Sequence, residues 1–327
     1  VNPEPFLRGA AFRPAPGVPY PRARDDGRLP RDTWAQACIP AGVRLELVGA
    51  AEAVEVTYRA ETSDVGFRGA GGGLTFQAWR GGTLAGEAEA VVGEGVVRFD
   101  LAAGDPEAPV TVYLPEIMRP EVLDVAAVGG TIDPAPAGPR WVGYGDSILE
   151  GWSVSAPALG WGARVSREHG LDLVNMGYAG AARGELASAE HVASRSADVI
   201  SISHGTNCWS VVPHTPAMMR AGLAAFLDTV RAAQPETPLV VVSPLLRPDA
   251  EAEPNRLGAT LADLRAVIED VVSERRGGGD DRLELVPGVD LVTQAQLGDG
   301  IHPDDDGHRG VADAVGPVLA KAAGTVR

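Results

Sequence analysis

The chain has 327 residues, of which 45% are hydrophobic and 22% charged, with 44 Asp and Glu against 28 Lys and Arg for a net charge of −16. The length suits two domains, and the composition is that of an ordinary globular protein. The acidic balance argues against nucleic acid, whose phosphates call for clustered Lys and Arg, and against docking on an anionic membrane surface.

Two cysteines, Cys38 and Cys208, rule out a disulfide framework and cannot by themselves assemble a thiolate zinc site. No apolar run approaches the roughly 20 residues that cross a bilayer. The opening stretch Val1–Tyr20 is proline-rich and lacks the basic-then-apolar pattern of a secretory leader. It begins without Met, which leaves room for a removed leader; the expectation is a cytoplasmic protein.

From about residue 40 to residue 132 the apolar residues recur with period two. Val43, Leu45 and Leu47 alternate with Arg44 and Glu46, and Val54, Val56 and Tyr58 alternate with Glu55, Thr57 and Arg59. Short runs follow at 74–80, 96–101, 110–114 and 123–128, parted by Gly, Asp and Pro. Such alternation buries one face of each strand, and many short strands with turn residues between them predict an antiparallel sandwich. No helical periodicity of useful length appears there.

The stretch 133–139 (Asp-Pro-Ala-Pro-Ala-Gly-Pro) reads as a linker and sets expected boundaries of 1–135 and 136–327. Beyond it, short apolar runs at 140–144, 171–175, 199–203, 239–243 and 283–286 alternate with helical segments. Met219, Leu223, Leu227 and Val230 share one helical face, as do Leu257, Leu261, Leu264, Ile268 and Val271. This predicts a parallel sheet covered by helices on both faces, with chemistry at the carboxyl ends of its strands.

Those ends are where reactive residue types collect. The first run leads into Gly143-Tyr144-Gly145-Asp146-Ser147-Ile148. Ile148 replaces the third glycine of a dinucleotide fingerprint, and the G-x-S-x-G elbow is absent, which leaves Gly-Asp-Ser at a strand-to-helix turn. A helix cap made by Asp146 or Ser147 is the alternative reading. The second run ends in Asn175-Met176-Gly177-Tyr178-Ala179-Gly180, where the Gly177 amide can approach an oxyanion or simply make the turn. The third ends in His204-Gly205-Thr206-Asn207-Cys208-Trp209, whose Asn207 carboxamide can donate to that oxyanion or brace its own loop. Asp299 stands three residues before His302, a spacing that lets the carboxylate hold one ring nitrogen while the other faces a serine. Asp304, Asp305 and Asp306 compete as caps of the last helix, and Asp299, His302, Asp304 and His308 as ligands of a divalent metal. Each element alone is weak; as an ordered set they fill every role in acyl transfer.

The set resembles the SGNH, or GDSL, hydrolase family. Gly145-Asp146-Ser147 is similar to its first block, Gly177 to the glycine of the second, Gly205-Thr206-Asn207 to the third and Asp299-Gly300-Ile301-His302-Pro303 to the last. Cys208 departs from the Asp that usually follows the third-block Asn. The resemblance covers about residues 140 to 320 and implies a three-layer, flavodoxin-like α/β domain. A sandwich of jelly-roll or carbohydrate-binding-module type ahead of it resembles family-2-type carbohydrate esterases and GDSL-type acyltransferases of tetracycline biosynthesis.

The resemblance implies Ser147 as nucleophile, His302 as base, Asp299 as its orienter, and Ser147, Gly177 and Asn207 as oxyanion donors. No cofactor or metal is called for; an acyl thioester such as acyl-CoA can serve as co-substrate. The expected partners are a small-molecule acyl donor and a hydroxyl acceptor. Trp152, Tyr178 and Trp209 flank the expected site as candidates for substrate contact or as packing. Acylation of a bulky small molecule leads, with an esterase of small molecules or carbohydrates, and a non-catalytic carbohydrate-binding protein, as alternatives.

Overall fold

A computed structural model describes residues 1–63, 73–101, 105 and 107–325. The antiparallel region is built from β1 (Leu7–Arg8), β2 (Arg44–Val48), β3 (Ala53–Ala60), β4 (Thr75–Arg80), β5 (Thr83–Glu89), β6 (Gly93–Asp100), β7 (Val110–Tyr113), β8 (Glu121–Val128) and β9 (Asp133–Pro134). One sheet runs β1-β2-β7-β4-β5 with β9 on β2, and a second runs β6-β3-β8. Leu45, Leu47, Phe76, Val110 and Val112 from the first pack against Val54, Val56, Tyr58, Phe99 and Val125 from the second. The period-two alternation therefore becomes the interior of a sandwich. Strand β5 has no counterpart among the sequence-read runs: its residues TLAGEAE are small or polar and it stays half exposed at the sheet edge.

The α/β unit has a parallel sheet of β10 (Arg140–Gly145), β11 (Asp172–Gly177), β12 (Val199–Ser203), β13 (Leu239–Val242) and β14 (Leu283–Val286), in the order β11-β10-β12-β13-β14. Each strand lies within two residues of an expected run. Residues one apart point to opposite faces: Val142, Ile200 and Val241 enter one core with helices α4 (Leu186–Ala193), α6 (Pro216–Ala233) and α7 (Leu261–Gly277). Trp141, Val199 and Val240 enter the other with α3 (Trp161–His169) and α8 (Asp305–Ala322). That two-sided burial is why the strands read as continuous apolar runs.

Residues 9–42 form an arm that the period-two reading did not anticipate. After β1 the chain leaves the sandwich, makes helix α1 (Arg31–Ala37), and places Ala11, Ala23 and Ala37 in the α/β core beside Tyr178 and Ala182. It then returns to the sandwich at β2. Arg22, 0% exposed, anchors the arm: its guanidinium donates to the carbonyls of Gln36 (2.6 Å) and Gly177 and lies 3.4 Å from the Glu150 carboxylate. Burial lowers its pKa to about 10, which leaves it charged at neutral pH. A second buried arginine, Arg44 of β2, pairs with Asp172 at 3.1 Å and donates to the Leu173 carbonyl at 3.0 Å, tying the sandwich to β11.

Candidate active site

Strand β10 ends at Gly145, and Asp146 turns the chain into helix α2 (Ser147–Glu150). Its backbone is extended, with φ −94° and ψ −156°, and its carboxylate accepts the Ile148 N–H at 3.0 Å, an N-cap. The cap reading thus holds for Asp146, and it sets Ser147 at the first helical position over the sheet edge. Burial raises the Asp146 pKa to about 6. Ser147 itself is 4% exposed.

The loop after β14 brings in the imidazole. Leu297 and Pro303 form an isolated bridge that closes the turn between them. Inside it, Asp299 Oδ1 accepts the Ile301 and His302 amides at 2.9 and 2.7 Å, and Asp299 Oδ2 lies 2.6 Å from His302 Nδ1. The carboxylate holds the proton on Nδ1, so the Nε2 lone pair accepts from the Ser147 hydroxyl at 2.9 Å. Burial alone would raise the Asp299 pKa, but the hydrogen bonds from His302 and Ile301 outweigh it and hold the carboxyl below its ordinary value. Hydroxyl, imidazole and carboxylate thus form one relay, with Ser147 and His302 155 residues apart in sequence.

The four side chains weighed as metal ligands do not converge. Asp304 caps α8 through the Asp306 and Gly307 amides, and His308 accepts from Trp161 N and donates to the Trp152 carbonyl, so both its ring nitrogens are engaged. Among the described residues no three His, Cys, Asp or Glu side chains are placed to hold a metal ion.

Asn207 opens helix α5 (Asn207–Ser210), is buried, and donates one carboxamide N–H to the Ala182 carbonyl at 3.2 Å. Its neighbour Cys208 is buried and directs its sulfur toward the Arg183 carbonyl at 3.8 Å. A thiol there contacts the loop 177–183 in place of a carboxylate.

Gly177 does not take the position expected of it. Its N–H donates to Asn175 Oδ1 at 2.8 Å and its carbonyl accepts from Arg22, so neither group faces the site. Glycine is needed at 177 because helix α2 crosses directly above: a Cβ would lie 2.6 Å from the Glu150 nitrogen. Three residues on, Gly180 lines the cavity that holds Ser147, and its N–H has no partner among the described residues. Its φ of +68° is the left-handed conformation that favours glycine. The amides of Ser147 and Gly180 and the Asn207 carboxamide are the donors that border this space.

Ser147 and His302 open into a cavity of about 630 Å³. One wall comes from the α/β unit, with Asn207, Val211 and Ile301. The other comes from the arm and the sandwich, with Gln36, Ile39, Ile117 and Arg119. Of the three aromatic candidates only Trp152 lines it, with its ring centroid 5.2 Å from that of His302. Tyr178 is fully buried and donates its hydroxyl to the Arg22 carbonyl at 2.7 Å, so it belongs to the core. Trp209 stands behind the cavity, under the guanidinium of Arg247 at 4.8 Å. Arg119 and Arg247 both reach the cavity, and neither belongs to a motif; only the pairing of the two regions marks them.

The profile of the GDSL-like lipase/acylhydrolase family matches residues 144–309, just over half of the chain. A search of curated proteins found no match. Among solved structures, "Salicylyl-Acyltransferase SsfX3 from a Tetracycline Biosynthetic Pathway" is 24% identical, with a TM-score of 0.81 over 98% of this chain and 96% of that one. A protein described as a GDSL-like lipase from Bacteroides ovatus ATCC 8483 is 21% identical, with a TM-score of 0.80 over 98% and 97%. A family two carbohydrate esterase from Clostridium thermocellum, solved with cellohexaose, is 17% identical, with a TM-score of 0.61 over 87% and 93%. These likenesses give the two-part fold. The chain belongs to the GDSL-like lipase/acylhydrolase family and is a serine acyltransferase or carboxylic-ester hydrolase.

Proposed function

We propose that the enzyme transfers an acyl group from a small-molecule donor to a hydroxyl of a bulky small-molecule acceptor. His302, oriented by Asp299, takes the Ser147 proton as the oxygen attacks the donor carbonyl. The Ser147 and Gly180 amides with the Asn207 carboxamide receive the oxyanion. The leaving group departs with the proton from His302, and the acyl-serine is then attacked by the acceptor hydroxyl, whose proton returns through His302. The donor is an activated ester or an acyl thioester.

The observation that carries this reading is the 2.9 Å contact between His302 Nε2 and Ser147 Oγ at the floor of a cavity of about 630 Å³ walled by both regions of the chain. A cleft of that size accommodates an acceptor beside the acyl group. The fold-level likeness to a salicylyl-acyltransferase over nearly the whole chain supports it as analogy. Hydrolysis is the second reading, favoured by the 48% exposure of the Asp299 side chain, which places the relay beside solvent. Product analysis separates them: an acyl thioester is supplied with and without a panel of hydroxylated aromatic and sugar acceptors. A new ester at the expense of free acid is expected; free acid alone, unaffected by any acceptor, makes the enzyme an esterase.

A further inference from the structure

The cavity is basic in an acidic protein. The chain carries 44 acids and 28 Lys and Arg, yet the described residues that line the cavity include two cations, Arg119 and Arg247, and no carboxylate. Chance composition predicts the reverse, and low-dielectric walls focus such a field on whatever enters.

Arg247 is 8% exposed and is held from behind. Its Nε and Nη2 donate to the Asp249 carboxylate at 2.9 and 3.2 Å, and its plane lies over Trp209. This fixes the guanidinium while Nη1 keeps no partner among the described residues. Asp249 is 57% exposed, so water screens much of its charge. Arg119 comes from the sandwich side and sits in the left-handed region at φ 50°, ψ 55°, a conformation that disfavours any residue but glycine. Its ion-pair partner among the described residues, Glu61, is 3.6 Å away and 57% exposed. A planar guanidinium with free N–H groups is suited to carboxylate or phosphate oxygens.

We propose that Arg119 and Arg247 form an anion-binding subsite beside Ser147 and that the natural substrate carries a carboxylate or phosphate group recognised there. This rests on the acyl-serine reading above. The anion belongs either to the acyl chain or to the group bonded through the ester oxygen, and two pairs of probes distinguish them. 4-Nitrophenyl hydrogen succinate against 4-nitrophenyl butyrate places the charge on the acyl side. 4-Acetoxybenzoate against its methyl ester places it on the other.

The readout is the ratio of kcat/KM for the anionic probe to that for its neutral partner. In one pair the wild type favours the anion by about tenfold or more, as charge-assisted hydrogen bonds warrant. Added salt lowers that ratio, and the double variant Arg119→Gln, Arg247→Gln brings it to about one. Arg119→Lys with Arg247→Lys keeps part of it. A wild-type ratio near one in both pairs, which needs no variant to fold, overturns the subsite, as does a ratio that the double Gln variant leaves intact. Loss of neutral-ester turnover in Ser147→Ala tests the underlying reading separately, so the two can fail independently.

Discussion

The two walls of the cavity are built differently. On the α/β side Ser147, Gly180 and Asn207 sit within a few residues of a strand end and follow sheet register, in which Gly145 pairs with Gly177 on one side and Ser203 on the other. Asp299 and His302 come from the loop after β14 that the Leu297–Pro303 bridge closes. Short side chains and backbone amides there are held by fixed local bonds, such as Asp146 on Ile148 and Asp299 on His302. On the opposite side Gln36 projects from helix α1, and Ile39, Ile117 and Arg119 from connecting segments, whose position depends on long-range docking through Arg22 and Arg44. Chemistry rests on the rigid scaffold, and the choice of substrate is left to long side chains on the connections.

Substitutions on the two walls should therefore separate in kind. Ser147→Ala is expected to lower kcat on the order of 10⁴–10⁶-fold, measured on an activated ester, with the fold intact. Turnover close to wild type would remove the nucleophile from the chemical wall. Arg22→Met crosses the divide, because an N-terminal residue holds the carbonyl of Gly177 and faces Glu150, which itself accepts the Ala179 N–H at 2.7 Å. Leaving Glu150 buried without this cation should cost about 3–5 kcal/mol in urea unfolding. A variant as stable as wild type would show the arm to be a passive cover. Asn207→Ala should cost about 10²–10³ in kcat with little change in KM; an unaltered kcat would take it out of the oxyanion site.

The smallest effect concerns pH. Burial lowers the pKa of His204 and of His308 to about 4, against about 6.5 in an unfolded chain. The unfolded state takes up these protons first, so the stability they contribute is complete above about pH 6.5 and is lost as pH falls toward 4. Asp146, raised to about 6, acts in the opposite sense, since the folded state binds its proton first. His308→Gln should remove roughly 2 kcal/mol of the acid-induced loss between pH 7 and 4.5. Urea midpoints at pH 7 and 4.5 read it, and an unchanged difference would mean that His308 does not titrate as its burial implies.

How much of this was legible in the sequence follows the same divide. The five parallel strands, Ser147, Asn207, and the Asp299–His302 spacing were readable because register and short-range bonds place them. Gly177 was misread for Gly180 because amide direction depends on which way the Asn175 side chain turns, and no periodicity encodes that. Tyr178 and Trp209 stood next to motif residues but point into the core or lie behind Arg247. The arm was invisible for a different reason: Ala11, Ala23 and Ala37 are too small to form an amphipathic pattern, and Arg22 becomes informative only when carbonyls of β11, more than 150 residues away, meet it.

The route of the arm has a consequence for how the protein is made. Residues 9–42 leave the ribosome before any strand of the α/β sheet against which they pack, and about 100 residues must follow before β10 begins and about 130 before β11 does. Until then Arg22 has neither Glu150 nor the Gly177 carbonyl to meet. The arm therefore has no partner to dock on until the second half of the chain has been made. For the same reason the two halves cannot be exchanged between relatives like beads on a string: a transplanted sandwich brings its own piece of the neighbouring interior with it.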